Sequence, residues 1–143
     1  MKIALAADHG GFELKEKVKS YLQTNGHDVI DLGCHTDEST DYPEYGKVCG
    51  EAVMQGNAER GIVICGTGIG ISIAANKVKG IRCALCTSLI MAEMSRKHNN
   101  SNIIALGGRI LEHDVALSIV EVWLNTEFEG GRHQRRVDLL DRM

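Results

Sequence analysis

Five short apolar runs recur along the chain, and each is followed by a segment whose apolar residues repeat at helical spacing. Lys2 to Ala7, His27 to Leu32, Glu59 to Cys65, Gly80 to Cys86 and Asn102 to Leu106 read as buried strands. Phe12 to Thr24, Pro43 to Gln55, Ile69 to Val78, Ser88 to His98 and Asp114 to Leu124 read as helices. Asn25-Gly26 stops the first helix, Pro43 starts the second, and Ser88 caps the fourth. Gly33 to Asp41 is a polar loop. The tail from Gly130 opens with Arg132-His133-Gln134-Arg135-Arg136 and continues in a helical pattern. Strict strand–helix alternation calls for an α/β fold: a five-stranded parallel sheet, helices on both faces, right-handed crossovers. Such folds take ligands beyond the carboxyl ends of the strands, at the topological switch point. The positions to inspect are therefore Asp8-His9, Cys65 to Gly70, Thr87-Ser88 and Gly107 to Arg109.

The remaining bounds are negative ones. At 143 residues the chain suits a single domain, 1–143, without linker or repeat. A net charge of −3 argues against a nucleic-acid partner. No apolar run approaches the ~20 residues of a membrane span, and Met1 runs into a strand with no signal peptide. Five cysteines, an odd number without a paired framework, fit a reducing cytoplasm. Cys83-Ala84-Leu85-Cys86 has C-x-x-C spacing but lies inside an apolar run, so it reads as two core cysteines. No second pair of this kind accompanies it, which argues against zinc.

The stretch Cys65-Gly66-Thr67-Gly68-Ile69-Gly70-Ile71-Ser72 holds the candidate chemistry. Three alternating glycines follow the strand and precede a helix. They are not the dinucleotide G-x-G-x-x-G, and no Gly-Lys-Ser/Thr of a Walker loop follows. Ile71 stands where a cysteine phosphatase would carry its arginine. What remains is a nest of N–H groups at a helix N-terminus, suited to a phosphate, carboxylate or enediolate. From the loop alone, a bound anion and an empty strand-to-helix turn both stay open. Cys65 heads the loop, where a helix N-terminus favours a thiolate able to act as nucleophile or base.

Asp8-His9 follows the first strand and reads either as a helix cap or as a site pair. His98-Asn99 closes the fourth helix. Arg132 and Arg136 share a face if their segment is helical, and Arg109 follows the fifth strand. Arginines bind phosphate through paired hydrogen bonds. Together with the thiol and the nest, in a chain of negative net charge, they suggest a small phosphorylated substrate.

Asp8-His9-Gly10-Gly11, Asp41-Tyr42-Pro43, Cys65 to Ser72 with Ala74 to Lys77, His98-Asn99, Gly107 to Arg109 and Gly131 to Arg136 resemble the type B ribose-5-phosphate isomerases. That family extends to allose- and galactose-6-phosphate isomerases. The resemblance spans almost the whole chain, in order and spacing. It implies a Rossmann-like three-layer α/β/α sandwich and an aldose–ketose isomerase without metal or cofactor. It implies Cys65 as the base moving a proton between C2 and C1 through a cis-enediolate, and Thr67 assisting at the reacting oxygens. The N–H groups of Gly66, Thr67, Gly68, Ile69 and Gly70 would hold the enediolate charge, and His98 would open the furanose ring. Asp8, His9 and Asn99 would orient hydroxyls, while Arg109, Arg132 and Arg136 would hold the phosphate. It also implies a homodimer, which could pair into a tetramer, with sites shared between protomers and completed by the basic segment 130–143. Some relatives replace the loop cysteine by a carboxylate at the place of Ile71. Here Cys65 is present, so the thiol version applies. Pentose phosphate is the leading substrate and a 6-phosphate hexose the alternative; a non-catalytic sugar-phosphate binder is disfavoured by intact Cys65, Thr67 and His98.

Overall fold

The computed structural model describes residues 1–143, with the chain alternating between strand and helix from its first residues. The strands are β1 (Lys2–Ala7), β2 (Asp28–Asp31), β3 (Arg60–Cys65), β4 (Cys83–Leu85) and β5 (Ile103–Gly107). The helices are α1 (Phe12–Thr24), α2 (Tyr42–Met54), α3 (Ile69–Asn76), α4 (Leu89–Asn99), α5 (His113–Asn125) and α6 (Arg132–Asp141). All four strand pairings are parallel, in the order β2-β1-β3-β5-β4. The expected α/β fold with a five-stranded parallel sheet is therefore the observed one.

Each central strand is apolar on both faces because helices cover both. Ile3, Leu5 and Ala7 of β1 join Leu14, Val18 and Leu22 of α1, Ala92 of α4 and Trp123 of α5 in one core. Ala4 and Ala6 face the other way, with Cys49 of α2, Ile71 and Ala75 of α3 and Cys65 of β3. α6 lies outside these layers, against α4. Trp123 is fully buried, and its indole N–H donates to Ser101 Oγ at 2.8 Å. Truncating such a residue to alanine costs about 3–5 kcal/mol.

Two elements are shorter than their sequence patterns. β4 pairs with β5 over Cys83, Ala84 and Leu85 alone, because Gly80 turns the chain with φ +91 and Arg82 N donates to the Asn102 side chain at 2.7 Å. α3 ends at Asn76, not Val78. The Asn76 amide accepts from Cys83 N at 2.8 Å and donates to Cys83 O at 3.0 Å, tying the helix end to the next strand. Ser88 caps α4 as expected, its hydroxyl accepting from Met91 N at 3.3 Å.

The chain reverses its direction of travel across the sheet at β1 and β3, which are neighbours. Their carboxyl ends form the crevice where this architecture binds ligands. Asp8 leaves β1 there and Cys65 leaves β3 beside it.

Candidate active site

The crevice is floored by backbone. A Cβ added to Gly11 would lie 2.4 Å from Ile64 O, so only glycine lets the turn after β1 close on β3. Asp8 is buried, and its Oδ1 accepts from Gly10 N at 2.9 Å and Gly11 N at 3.2 Å. That oxygen caps the turn into α1, leaving Oδ2 for a ligand. His9 Nδ1 accepts from Thr40 N at 3.1 Å, and His9 N donates to Thr40 Oγ1 at 3.2 Å. The accepting Nδ1 places the proton of a neutral ring on Nε2.

Cys65 is the last residue of β3 and is buried. Gly68 N donates to its Sγ at 3.1 Å, a contact that stabilises negative charge on sulfur. Gly68 makes this possible by adopting φ +82, where an added Cβ would lie 2.7 Å from Leu85 Cδ1 and 2.8 Å from Leu106 C. The loop is stitched to the turn after β5 by Gly108 N to Cys65 O at 2.8 Å and Arg109 N to Gly66 O at 2.9 Å. Arg109 is exposed and its guanidinium lies over Gly66. Thr67 is exposed, and its Oγ1 accepts from Ile69 N at 3.2 Å. The Tyr42 ring packs against Gly70 at the rim of the loop.

Burial pushes the Cys49 thiol up to about 12 and that of Cys86 up to about 11. Burial also raises Cys34 and Cys83. Of the C-x-x-C pair, Cys86 is a buried core thiol and Cys83 is partly buried against the opposite core.

His98, Asn99, Arg132 and Arg136 form a second group, and one protomer does not bring it to the crevice. α4 begins at the carboxyl edge of the sheet after β4 and ends before β5 starts, so His98 lies at the amino edge. β3 is six residues long, so at ~3.3 Å per residue the two edges stand roughly 15–20 Å apart. At the amino edge the His133 ring stacks on His98, with centroids 4.3 Å apart and planes at 16°. Glu129 Oε1 lies 3.6 Å from His98 Nε2. Burial lowers the His133 pKa from its ordinary value, and the charges of His98, Arg132 and Arg136 lower it further. Arg132 and Arg136 are exposed on α6, one turn apart.

Two arginines that the sequence did not single out hold this group together. Arg82 donates to Asn99 O at 3.0 Å, to Asn100 O at 3.1 Å and to Asp141 Oδ1 at 2.6 Å. It thereby ties the end of α4 to the last turn of α6. Arg96 is buried and donates to Thr126 O at 3.1 Å, Asn100 Oδ1 at 2.8 Å and Ser101 O at 2.7 Å. Burial lowers its pKa to about 10. His133 lay inside the basic motif without a role, and Glu129 and Arg82 carried no local signal at all.

A backbone nest and a thiol that accepts an N–H thus lie together at the switch point of this fold. Known proteins narrow the class to an aldose–ketose isomerase. The chain belongs to the family described as Ribose/Galactose Isomerase, matching it over residues 3–140. It is 47% identical to ribose-5-phosphate isomerase B of Escherichia coli over 97% of this chain and 93% of that one. The structure of Clostridium thermocellum ribose-5-phosphate isomerase B superposes with a TM-score of 0.98 at 55% identity, covering 99% of this chain and 96% of that one. That of Mycoplasma genitalium ribose-5-phosphate isomerase B with bound ribulose-5-phosphate gives a TM-score of 0.94 at 40% identity, covering 99% and 94%.

Proposed function

We propose that this protein interconverts ribose 5-phosphate and ribulose 5-phosphate in the cytoplasm, as a homodimer with shared sites. The observation that carries the reading is the Cys65 Sγ at the mouth of the nest, with the Gly68 N–H on it at 3.1 Å. A thiolate there removes the C2 proton of the open-chain aldose. The electron pair moves into the carbonyl, forming a cis-enediolate; the hydroxyl proton passes from O2 to O1, and the same thiol returns the carbon-bound proton to C1. The N–H groups of the Gly66 to Gly70 loop stabilise the developing oxyanion, apart from those of Gly68 and Ile69, which are already on Cys65 Sγ and Thr67 Oγ1; one such donor is worth about 3–4 kcal/mol of barrier. Thr67 serves the reacting oxygens, and His98 opens the ring. Asp8 Oδ2, His9 Nε2–H and Asn99 orient hydroxyls. Arg109, Arg132 and Arg136 hold the phosphate, whose binding energy positions the sugar.

The separation of the two groups supports the dimer. His98 and the tail arginines reach a crevice only if they come from a second copy, so the single domain and its 130–143 segment complete the partner's site. Ile69 and Ile73 on α3, with Leu89, Ile90 and Met91 at the start of α4, present exposed apolar side chains that a second copy would cover.

Mixed dimers test this arrangement. Cys65→Ala and His98→Asn each inactivate alone. In the hybrid, one site carries both lesions and the other carries none. Random reassortment makes half the dimers hybrids with one of two sites intact, so about a quarter of wild-type activity returns. No recovery on mixing, with hybrids confirmed by mass, would refute shared sites. The ratio of kcat/KM for ribose 5-phosphate and allose 6-phosphate tests the substrate, and a preference for the hexose would replace the pentose reading.

A further inference from the structure

One cluster of ligand-type side chains lies outside the cradle. His98, Glu129 and His133 each present a nitrogen or carboxylate oxygen, and these atoms lie within 4.8 Å of one another. We propose that these three residues bind a divalent transition cation of the zinc type, and that the bound metal inhibits the enzyme by occupying the His98 imidazole.

Two imidazoles and one carboxylate are a ligand set that zinc accepts, with a fourth position left for water. With bonds of ~2.0–2.1 Å, neighbouring ligand atoms of a tetrahedral shell stand ~3.3 Å apart. The His98 Nε2 to Glu129 Oε1 distance, 3.6 Å, is already close to that edge. The stacked His133 ring must turn out of its parallel plane to bring a nitrogen in.

The backbone that carries each of the three residues is anchored nearby. His98 sits in the last turn of α4 and His133 in the first turn of α6. Glu129 is fixed by its N–H, which donates to Lys97 O at 3.1 Å. Gly130 and Gly131, with φ of +68 and +56, reverse the chain between Glu129 and His133 so that both face His98.

Charge sets the selectivity. Arg132 and Arg136 stand on the same helix as His133 and repel any cation. Affinity must come from nitrogen–metal bonding, which favours Zn²⁺ or Co²⁺ over Mg²⁺ or Ca²⁺, cations that require oxygen ligands. Binding needs no assumption about the reaction. The inhibition clause rests on the reading of His98 as the ring-opening group.

The test is a titration of the metal-free, full-length protein with Co²⁺, followed by visible absorption. Wild type should develop the intense bands of tetrahedral cobalt, Zn²⁺ should displace them, and Mg²⁺ should not. His133→Ala and Glu129→Gln, shown folded by thermal melting, should bind Co²⁺ at least about tenfold more weakly. Cys65→Ala should bind it like wild type, since the thiol is not a ligand. Zn²⁺ should suppress isomerisation in wild type, reversibly with chelator, and require a higher concentration in Glu129→Gln. Unchanged binding in both ligand variants overturns the site. So does loss of binding in Cys65→Ala, or a thiolate–cobalt charge-transfer band. If the ligand variants lose binding but zinc-saturated wild type keeps its full rate, the metal site stands and the ring-opening role of His98 falls.

Discussion

At the carboxyl edge of the sheet the candidate groups are backbone N–H groups and short side chains on two turns; at the amino edge they are long side chains on two helices. The first group is set once β1 and β3 pair, because Cys65 and Asp8 leave adjacent strands and the glycines let the turns touch. The second depends on how α6 docks on α4, and Arg82 fastens both. On the proposed reading, a site divided in this way would join a rigid cradle to a separately positioned acid/base and phosphate clamp. The cradle should therefore tolerate no change in its backbone, while the clamp should tolerate backbone change and fail when its fastening is cut.

Two glycines put that difference to its strongest test. Gly68 and Gly130 both have positive φ, +82 and +68. Gly68→Ala forces a Cβ to within 2.7 Å of Leu85 Cδ1 and displaces the N–H that faces Cys65. Its kcat should fall by roughly 10²–10³, an effect the size of losing one fixed donor to developing charge, here the N–H that supports the Cys65 sulfur. Gly130 has open space around it. Gly130→Ala carries only the backbone strain of ~1–2 kcal/mol, seen as a lower melting temperature with kcat near wild type. Equal losses of kcat in the two variants would break the comparison.

The same contrast decides what could be read from the sequence. The sheet was legible because β1, β3 and β5 are continuous apolar runs ended by glycine or Asp. The cradle was legible because a strand, a thiol and three alternating glycines are contiguous. Edges were misjudged where long-range bonds rather than periodicity set them: Asn76 ends α3 by gripping Cys83, and β4 stops where β5 no longer pairs with it. The amino-edge group was visible only as separate motifs. His98 reads as a helix end and Arg132 to Arg136 as a basic tail. Their meeting depends on the crossing of α4 and α6, which no local pattern encodes. Arg82 was hidden for a related reason: its partners at 99, 100 and 141 are distant in sequence. Within one protomer Arg109 lies over the glycine loop but His98, Arg132 and Arg136 do not reach it, because a helix that follows a parallel strand must carry its own end to the opposite edge.

Cutting the fastening is the second test. Arg82→Ala removes three charge-assisted bonds from the ends of α4 and α6. Because misplacing a reacting group by about 1 Å costs up to 10²-fold, kcat/KM should fall ten- to a hundredfold, with the Cys65 thiol still alkylated at the wild-type rate. Arg82→Lys keeps the charge but not the fork, and should recover part of the loss. A slower thiol in Arg82→Ala would mean that the two ends are not independent.

The smallest effect concerns acid. The cradle edge carries the buried ion pair of the molecule: Lys15 Nζ, fully buried, lies 2.7 Å from Asp31 Oδ1, while the Arg82–Asp141 pair at the other edge is partly exposed. Burial works to raise the Asp31 carboxyl, but hydrogen bonds from Lys15, the Gly33 N–H and Lys19 outweigh it and hold the group below its ordinary value of 3.8. A carboxyl depressed in the folded state stabilises the fold at every pH above its unfolded value. That contribution is lost as pH falls through the lower folded value. The Lys15–Asp31 pair should thus contribute no change in stability between pH 7 and 5, and its share of acid destabilisation should begin below about pH 4. Urea unfolding at stepped pH measures this. Asp31→Asn should be less stable at neutral pH, by less than the ~3 kcal/mol of a fully broken buried pair, because Glu16 Oε1, 3.0 Å from Lys15 Nζ, remains as a partner. Its stability should also fall less steeply than wild type below pH 4, by up to one proton's worth, ~1.4 kcal/mol per pH unit. Parallel acid limbs in the two proteins would show that Asp31 does not anchor the cradle edge through its charge.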